Sequence, residues 1–163
     1  MRRALTVATP LGPLRLVSDG EGLVGAAFAD GAAPPSASLS GEGGADAVLQ
    51  TAAAELRAYF DGRPAPFTVP VRAGGTPFQE RVWAALREIP HGRTLGYGAL
   101  AARLGEPGAA QAVGAANGQN PVAVVVPCHR VVGADGSLTG YAGGLARKRA
   151  LLDLESAQGR LFA

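Results

Sequence analysis

Residues 97–118 read YGALAARLGEPGAAQAVGAANG, and this stretch decides the fold of the second half of the chain. Its apolar spacing predicts a short helix from Tyr97 to Leu104 and a second from about Gly108 to Gly118. Gly105-Glu106-Pro107 forms the turn between them. This is the spacing of a helix-turn-helix, in which the second helix enters a groove of DNA. Many helical hairpins bind nothing, so the spacing alone leaves the function open.

The second of these helices has small and nearly uncharged side chains, from Gln111 to Gly118. Residues that recognise base edges in the major groove are usually Arg, Asn or Gln. Small side chains instead suit a close approach to a nucleic-acid backbone or a narrow groove. They equally suit a helix that packs tightly against a neighbour, and both interpretations stay open at this point.

The elements before this pair of helices divide the chain into two halves. We expect an antiparallel meander, a Gly/Ala/Pro/Ser-rich loop, one helix and a last short strand, and then a helix capped by Thr76 and started by Pro77. The predicted bounds are, in order, strands Leu5–Ala8, Pro13–Val17 and Leu23–Phe28, loop 30–44, helix Ala45–Phe60 and strand Phe67–Val71. The helix that Thr76 caps is stopped by Ile89-Pro90-His91-Gly92. Arg72 to Gly75 is the boundary, which gives an N-terminal domain over 1–73 and a C-terminal domain over 76–163.

Composition and charge narrow the class of protein. The net charge is +2, and residues 76–163 carry the excess of positive charge, with nine Arg and Lys against six Asp and Glu. If one half contacts phosphate, it is therefore the second. No apolar stretch has the length of a transmembrane helix, and no signal-peptide core follows the basic N-terminus. We expect a soluble cytoplasmic protein with no membrane partner.

The chain has one cysteine and only two histidines, His91 and His129. One cysteine cannot form an internal disulfide, and one cysteine with two histidines is too few for the usual four-ligand metal site of Cys and His, so we expect no metal. Phosphate-loop and dinucleotide-binding motifs are missing from the sequence, and we expect no cofactor.

Cys128 follows the run Val122–Val126, which we interpret as a buried strand that ends at Pro127. Because neighbours in a strand point to opposite faces, Cys128 and His129 can cooperate only where the strand has stopped. A histidine can take the proton of a thiol, especially when a carboxylate orients its ring, and Glu155 could return toward His129. A lone buried cysteine is otherwise a small apolar residue, and that alternative is the more common one.

The residues that flank Cys128 favour the nucleophile over the small apolar residue. With them, the chain resembles the methylated-DNA–protein-cysteine methyltransferases, or O6-alkylguanine-DNA alkyltransferases. The resemblance is dense over residues 76–157, and the N-terminal half fits only in outline. The matching residues are Phe78-Gln79-x-x-Val82-Trp83, Pro90-x-Gly92-x-Thr94-x-x-Tyr97, Gly118-x-Asn120-Pro121, Pro127-Cys128-His129-Arg130-Val131, Gly136-x-x-Thr139-Gly140-Tyr141-x-Gly143-Gly144, Lys148 and Ala150-Leu151-Leu152-x-x-Glu155.

This resemblance implies an α+β fold, with an N-terminal ribonuclease-H-like antiparallel sheet and helix and a C-terminal winged helix-turn-helix-like domain. It implies that the protein binds double-stranded DNA with alkylated bases and moves the alkyl group from O6-alkylguanine, and from O4-alkylthymine, to Cys128. We expect a monomer, since no feature of the sequence indicates an oligomer. The implied catalytic residues are Cys128, His129, Glu155, Asn120 and Tyr97. The implied substrate-binding residues are Val131, Tyr141, Ala142, Gly143 and Lys148. The implied DNA-binding residues are Gln111, Ala112, Gly114, Ala115, Asn117 and Thr94. Arg130 is assigned to the structure of the fold.

One residue departs from the family pattern. The family usually has an arginine near the start of the second helix, inserted where the flipped base was, and this chain has Gln111. We expect weaker binding or flipping with intact chemistry, because glutamine lacks the charge and the rigid fork of arginine. Three alternatives stay open: a non-catalytic protein that flags alkylated bases, an unrelated cysteine hydrolase and a winged-helix regulator.

Overall fold

The computed structural model describes residues 2–29, 39–42, 46–63 and 65–162. It confirms the α+β class, with an N-terminal sheet followed mainly by helices. The elements are β1 (Arg2–Val7), β2 (Leu14–Ser18), β3 (Leu23–Phe28), β4 (Leu39–Glu42), α1 (Ala47–Phe60), α2 (Pro77–Leu86), β5 (Leu95–Gly96), α3 (Tyr97–Arg103), α4 (Ala110–Gly118), a 3-10 turn (Cys128–Arg130), β6 (Val131–Val132) and α5 (Leu145–Phe162).

The chain forms two compact units. The first contains residues up to Gly74 together with Pro121–Val125, and the second contains Gly75–Asn120 and Val126–Ala163. No pattern in the sequence indicated that a segment from the second half belongs to the first unit. The predicted domains, 1–73 and 76–163, stay a prediction. No helix in the described ranges is both long enough and apolar enough to cross a membrane.

The first unit is built on a four-stranded sheet of order β3-β2-β1-β4. The expected meander is present, because β1 pairs antiparallel with β2, and β2 with β3. The interpretation of 30–44 as a loop is wrong for Leu39–Glu42, which form β4 and pair parallel to β1. The rest of that loop lies outside the described residues. The Gly and Ser content of Leu39–Glu42 disfavours a strand. Pairing with the edge of β1 outweighs that low strand propensity.

Helix α1 covers this sheet and confirms the helix expected over 45–60. Asp46 caps it by accepting a hydrogen bond from the Leu49 amide at 3.0 Å, and it also accepts one from the Ser18 hydroxyl at 3.2 Å. The apolar stripe predicted from the sequence is buried, with Val48, Leu49, Ala52, Leu56 and Tyr59 all in the core. The helix therefore supplies the apolar layer that the sheet needs on one face.

The strand expected over Phe67–Val71 is wrong. Only Val71 forms a bridge, to Leu23. The amides of Thr68 and Val69 donate instead to the Glu55 carboxylate, at 2.8 and 3.0 Å, and Pro70 has no amide hydrogen. The backbone donors are thus satisfied by a side chain of α1 rather than by a neighbouring strand.

In the second unit the helix after Thr76 confirms its predicted capping. The Thr76 side chain accepts from the Gln79 amide, and the Gln79 side chain accepts from the Thr76 amide, which is a complete capping box. Trp83 is buried on α2 and donates from its indole to the Ala116 carbonyl at 2.8 Å, which ties α2 to α4. Helices α3 and α4 form the expected hairpin, and β5 pairs parallel with β6.

The strand expected over Val122–Val126 is also wrong, although these valines are buried. Only Val122 forms a bridge, to Ala26, and the chain then turns. The Val125 amide donates to the Ala123 carbonyl in a γ-turn around Val124, whose φ of 70° is strained for a β-branched residue. Burial explains this valine run without strand pairing, which is why apolar pattern alone misassigned it.

Candidate active site

The local backbone before Cys128 is a second γ-turn. Pro127 has φ −82° and ψ 64°, and the Cys128 amide donates to the Val126 carbonyl at 2.8 Å. Cys128, His129 and Arg130 then follow in a 3-10 turn with all three side chains buried. The expectation that Pro127 ends a strand is therefore replaced by a turn, and a turn equally frees neighbouring residues from the alternation of a strand.

His129 and Glu155 meet in the core of the second unit. His129 Nε2 lies 2.7 Å from Glu155 Oε2, and both side chains are essentially inaccessible to solvent. Burial lowers the pKa of His129 and outweighs the raising effect of Glu155, so the ring is neutral at pH 7. Since a carboxylate only accepts, Nε2 carries the ring hydrogen and Nδ1 carries the free lone pair. Nδ1 has no hydrogen-bond partner among the described residues.

Arg130 fixes the same carboxylate from the other side. Its Nε and one terminal nitrogen donate to the two oxygens of Glu155, at 2.8 and 3.0 Å, and its other terminal nitrogen donates to the Ile89 carbonyl at 2.7 Å. Burial raises the pKa of Glu155, but His129 and Arg130 together hold it well below its usual range. Glu155 is therefore a fixed anion that orients the imidazole.

Cys128 itself is 6% exposed. Burial raises the pKa of its thiol, while the Asn120 side chain and the charge of Lys148 lower it. Asn120 donates to the Val126 carbonyl at 2.8 Å, across the turn that leads to Cys128. The thiol thus rests mainly in its protonated form and reacts by losing that proton to a base.

Asn117 does not lie where it was predicted. It was expected at the DNA surface, but its side chain is buried on α4 and donates to the Cys128 carbonyl at 3.3 Å. Helical spacing places Asn117 with Val113 and Ala116 on the packed side of α4, away from Gln111, Ala112 and Ala115. A buried asparagine that holds the backbone of Cys128 is a structural support, and the sequence had no local signal for this contact.

The remaining DNA-facing candidates are accessible. Gln111, Ala112, Ala115 and Thr94 are exposed, and Gly114 is half-buried. Gln111 and Gly114 line an open cleft of about 620 Å³, whose lining also includes Thr139, Gly140, Tyr141 and Ala142. Tyr97 also lines this cleft, and its hydroxyl lies 2.5 Å from Thr139 Oγ1.

Of the predicted substrate-binding residues, Tyr141 and Ala142 line this cleft, and the charge of Lys148 acts on the thiol of Cys128. Lys148 is buried and donates to the Thr139 carbonyl at 2.8 Å, and burial lowers its pKa. The Tyr141 hydroxyl is buried without a hydrogen-bond partner in the described part of the chain, and burial, followed by the charge of Cys128, raises its pKa. Gly143 accepts from Arg147 through its carbonyl, and Val131 is buried in β6 opposite Leu95.

Sequence reasoning missed three hydrogen bonds of this site. Arg130 donates to the Ile89 carbonyl, the Thr139 hydroxyl contacts that of Tyr97, and the Thr139 carbonyl accepts from Lys148. The first two join residues about 40 positions apart in the sequence. Thr139 stood in the matching pattern without a role, and its place next to Gly140-Tyr141 was the only available signal.

Comparison with known proteins yields two matching family models. Residues 77–157 match the DNA-binding domain of 6-O-methylguanine DNA methyltransferase, and residues 1–73 match the ribonuclease-like domain of the same family. Among curated relatives, a methylated-DNA–protein-cysteine methyltransferase of Mycobacterium tuberculosis is 47% identical over 94% of this chain and 92% of its own. One from Methanosarcina acetivorans is 45% identical over 90% of this chain and 94% of its own.

Solved structures give the same result. The crystal structure of M. tuberculosis O6-methylguanine methyltransferase is 44% identical, covers 100% of both chains and has a TM-score of 0.88. The M. tuberculosis OGT in complex with DNA is 45% identical, covers 96% of this chain and 94% of its own, and has a TM-score of 0.88.

Proposed function

Because the chain belongs to the methylated-DNA–protein-cysteine methyltransferase family, we propose that it repairs DNA by taking the alkyl group of O6-alkylguanine, and of O4-alkylthymine, onto Cys128. The observation that carries this proposal is the buried pair formed by His129, which directly follows Cys128, and Glu155 on α5. The pair leaves a lone pair on Nδ1 that can take the proton of the thiol.

The transfer is one displacement. His129 Nδ1 takes the thiol proton, through a water, and the Cys128 sulfur attacks the alkyl carbon in line with the bond to the base oxygen. That carbon–oxygen bond breaks, its electron pair stays with the base, and Tyr97 donates a proton so that no bare anion leaves. Glu155 stabilises the imidazolium while the reaction proceeds. The product is a stable thioether, so each molecule transfers one alkyl group.

The other residues position the substrate. Asn120 braces the turn before Cys128 and donates toward its sulfur. The backbone of Tyr141, Ala142 and Gly143, with the Val131 carbonyl, recognises the edge of the base. Lys148 holds this loop through the Thr139 carbonyl and places a positive charge near the thiol.

DNA binds along the exposed side of α4. Small residues at Ala112, Gly114 and Ala115 allow a close approach, and Gln111 stands at the cleft into which the base is rotated, while Thr94 contacts the backbone. Rotating a base out of a duplex costs a few kcal/mol, which binding must supply. We further propose that the protein acts as a monomer in the cytoplasm, where a free nucleophilic thiol stays reduced.

The support for catalysis is stronger than that for a protein that only flags alkylated bases. The curated relatives that cover most of the chain are named as methyltransferases, and Cys128, which the alternative does not need, is followed in the chain by a histidine that Glu155 orients. A cysteine hydrolase and a sequence-specific regulator have no support of this kind.

Mass spectrometry tests the proposal directly. The protein is incubated with excess duplex containing one O6-methylguanine, and we expect a single gain of about 14 Da on the peptide with Cys128, the mass of one methyl replacing hydrogen on the sulfur. Cys128→Ser is the matched control and should bind the duplex without any gain. Binding without a mass change in the unaltered protein would refute transfer and favour the flagging protein.

A further inference from the structure

The cleft contains a hydrogen bond that the mechanism above does not use. Tyr97 begins α3, and its hydroxyl lies 2.5 Å from Oγ1 of Thr139, which lines the same cleft. The Tyr97 ring lies beside Gly114 of α4, where an added Cβ would sit 3.6 Å from the ring. The ring is thus held by α4 on one side while its hydroxyl contacts Thr139.

Thr139 is also fixed through its backbone. Its carbonyl accepts from Lys148 Nζ at 2.8 Å, and Lys148 is fully buried on α5. A buried ammonium keeps its hydrogen-bond acceptor, because leaving a buried charge without a partner costs free energy. The hydroxyl of Thr139 is therefore presented to Tyr97 from an anchored position, even though Thr139 itself is exposed.

The direction of this hydrogen bond decides whether Tyr97 can act as a proton donor. A tyrosine has one hydroxyl hydrogen. If Tyr97 donates to Thr139, that hydrogen is occupied. If Thr139 donates to the Tyr97 oxygen, the tyrosine hydrogen is free to point at the departing base.

We infer that Thr139 is a positioning residue, which donates to the Tyr97 oxygen and leaves the Tyr97 hydrogen for the base. This inference rests on the proposed function and adds a residue to it. The bond from Thr139 also stabilises the negative charge that develops on the Tyr97 oxygen as its proton leaves.

The step balances without a further reactant. The sulfur–carbon bond forms as the carbon–oxygen bond breaks, and the electron pair of the latter goes to the base, which takes the Tyr97 proton. Tyr97 then regains a proton from solvent, and His129 releases the thiol proton to solvent. The net change is the exchange of one alkyl group for one proton.

Thr139→Val removes the hydroxyl at nearly constant volume and keeps the carbonyl that binds Lys148. We expect this variant to transfer methyl from an O6-methylguanine duplex about five- to tenfold more slowly at saturating DNA, the usual effect of one lost hydrogen bond. The Kd for the same duplex and the reaction of Cys128 with iodoacetamide, whose iodide leaves without a proton, should be unchanged. Thr139→Ser keeps a hydroxyl and should restore most of the rate.

A double-mutant cycle with Tyr97→Phe separates positioning from other effects. Since Phe has no hydroxyl to orient, Thr139→Val should cause no further loss in the Tyr97→Phe background. An equal loss in both backgrounds would overturn the inference. Faster transfer by Thr139→Val would also overturn it, because the hydrogen bond between Thr139 and Tyr97 would then slow the reaction rather than assist it. If the unaltered protein transfers no methyl at all, the proposed function fails; if it does and Thr139→Val matches it, only this inference fails.

Discussion

At the residue scale, Glu155 is the side chain on which two others depend. It accepts from His129 and from two nitrogens of Arg130, all in the core of the second unit. Glu155→Gln removes the charge but keeps the shape, and it leaves the buried guanidinium without a counterion. We expect a loss of about 3 kcal/mol in the free energy of unfolding at pH 7, measured by urea denaturation. Asp153→Asn, an exposed change on the same helix, should cost less than about 0.5 kcal/mol.

The same variant has a predicted pH dependence. The pKa of Glu155 is lower in the folded chain than its ordinary value of 4.5, so the folded state binds fewer protons in acid than the unfolded state. The stabilisation is fully present above the unfolded pKa and is lost as pH falls through the folded one. The stability difference between the unaltered protein and Glu155→Gln should therefore shrink below about pH 4.5. A difference that stays constant down to pH 2 would contradict the assignment.

The thiol of Cys128 has a second pH dependence that involves no DNA. Burial raises its pKa and the charge of Lys148 lowers it, so the rate of alkylation by iodoacetamide should rise across pH 7 to 9, as the thiolate fraction does. Lys148→Met removes the charge and should shift this profile to higher pH, with a severalfold slower reaction at pH 8. Arg149→Met, an exposed neighbour, is the control. Identical profiles for Lys148→Met and the unaltered protein would show that the ammonium does not act on the sulfur.

At the scale of elements, the helices were predicted correctly, whereas two predicted strands do not form and β4 (Leu39–Glu42) was missed. Capping by Thr76 and Pro77 and the apolar stripe of α1 are local signals, and they placed both helices to within three residues at each end. The strands expected at Phe67–Val71 and Val122–Val126 failed because β-branched residues mark burial as well as pairing. The acceptor that each backbone amide finds can lie far away in the sequence, where local patterns do not predict it. Glu55, which accepts from the amides of Thr68 and Val69, is an example.

The candidate site followed the same division. The pairing of His129 with Glu155, directly after Cys128 in the chain, could be predicted from the sequence and its resemblance to the family. The burial of Asn117 could not, because a nine-residue helix of small side chains has little apolar asymmetry from which to assign its packed side.

Helix α4 carries a prediction at this scale. Gln111 lies exposed at the cleft, in the place where the family usually has arginine. Gln111→Arg should lower the Kd for an O6-methylguanine duplex roughly tenfold, since arginine adds charge and a planar surface for stacking. Gln111→Lys supplies the charge without the planar fork and should recover only part of the gain. If Kd and transfer rate are unchanged by Gln111→Arg, glutamine at this position is not a defect.

At the scale of the whole molecule, the chain returns to its first unit just before the reactive turn. Pro121–Val125 belongs to the unit formed by residues up to Gly74, and the pairing is explicit in the backbone. The Ala26 amide donates to the Pro121 carbonyl at 2.9 Å, and the Ala123 amide donates to the Ala26 carbonyl at 3.0 Å. A C-terminal fragment that begins at Gly75 therefore lacks Ala26, the backbone hydrogen-bond partner of Pro121 and Ala123. Both of these residues lie within eight residues of Cys128.

This arrangement predicts that the C-terminal half is not self-sufficient. A fragment of residues 75–163 would expose Val122, Val124 and Val125, which are buried in the complete chain, and burying each contributes about 1.5 kcal/mol. We expect the fragment to melt at a lower temperature than the whole protein in circular dichroism. Adding a separately expressed 1–74 fragment should raise that melting temperature, because it returns the partners of Ala123 and its neighbours. Replacing Ala26 with proline in the added fragment is the control, since proline cannot donate to the Pro121 carbonyl. A C-terminal fragment that melts and accepts methyl groups like the whole chain would show that the first unit is dispensable.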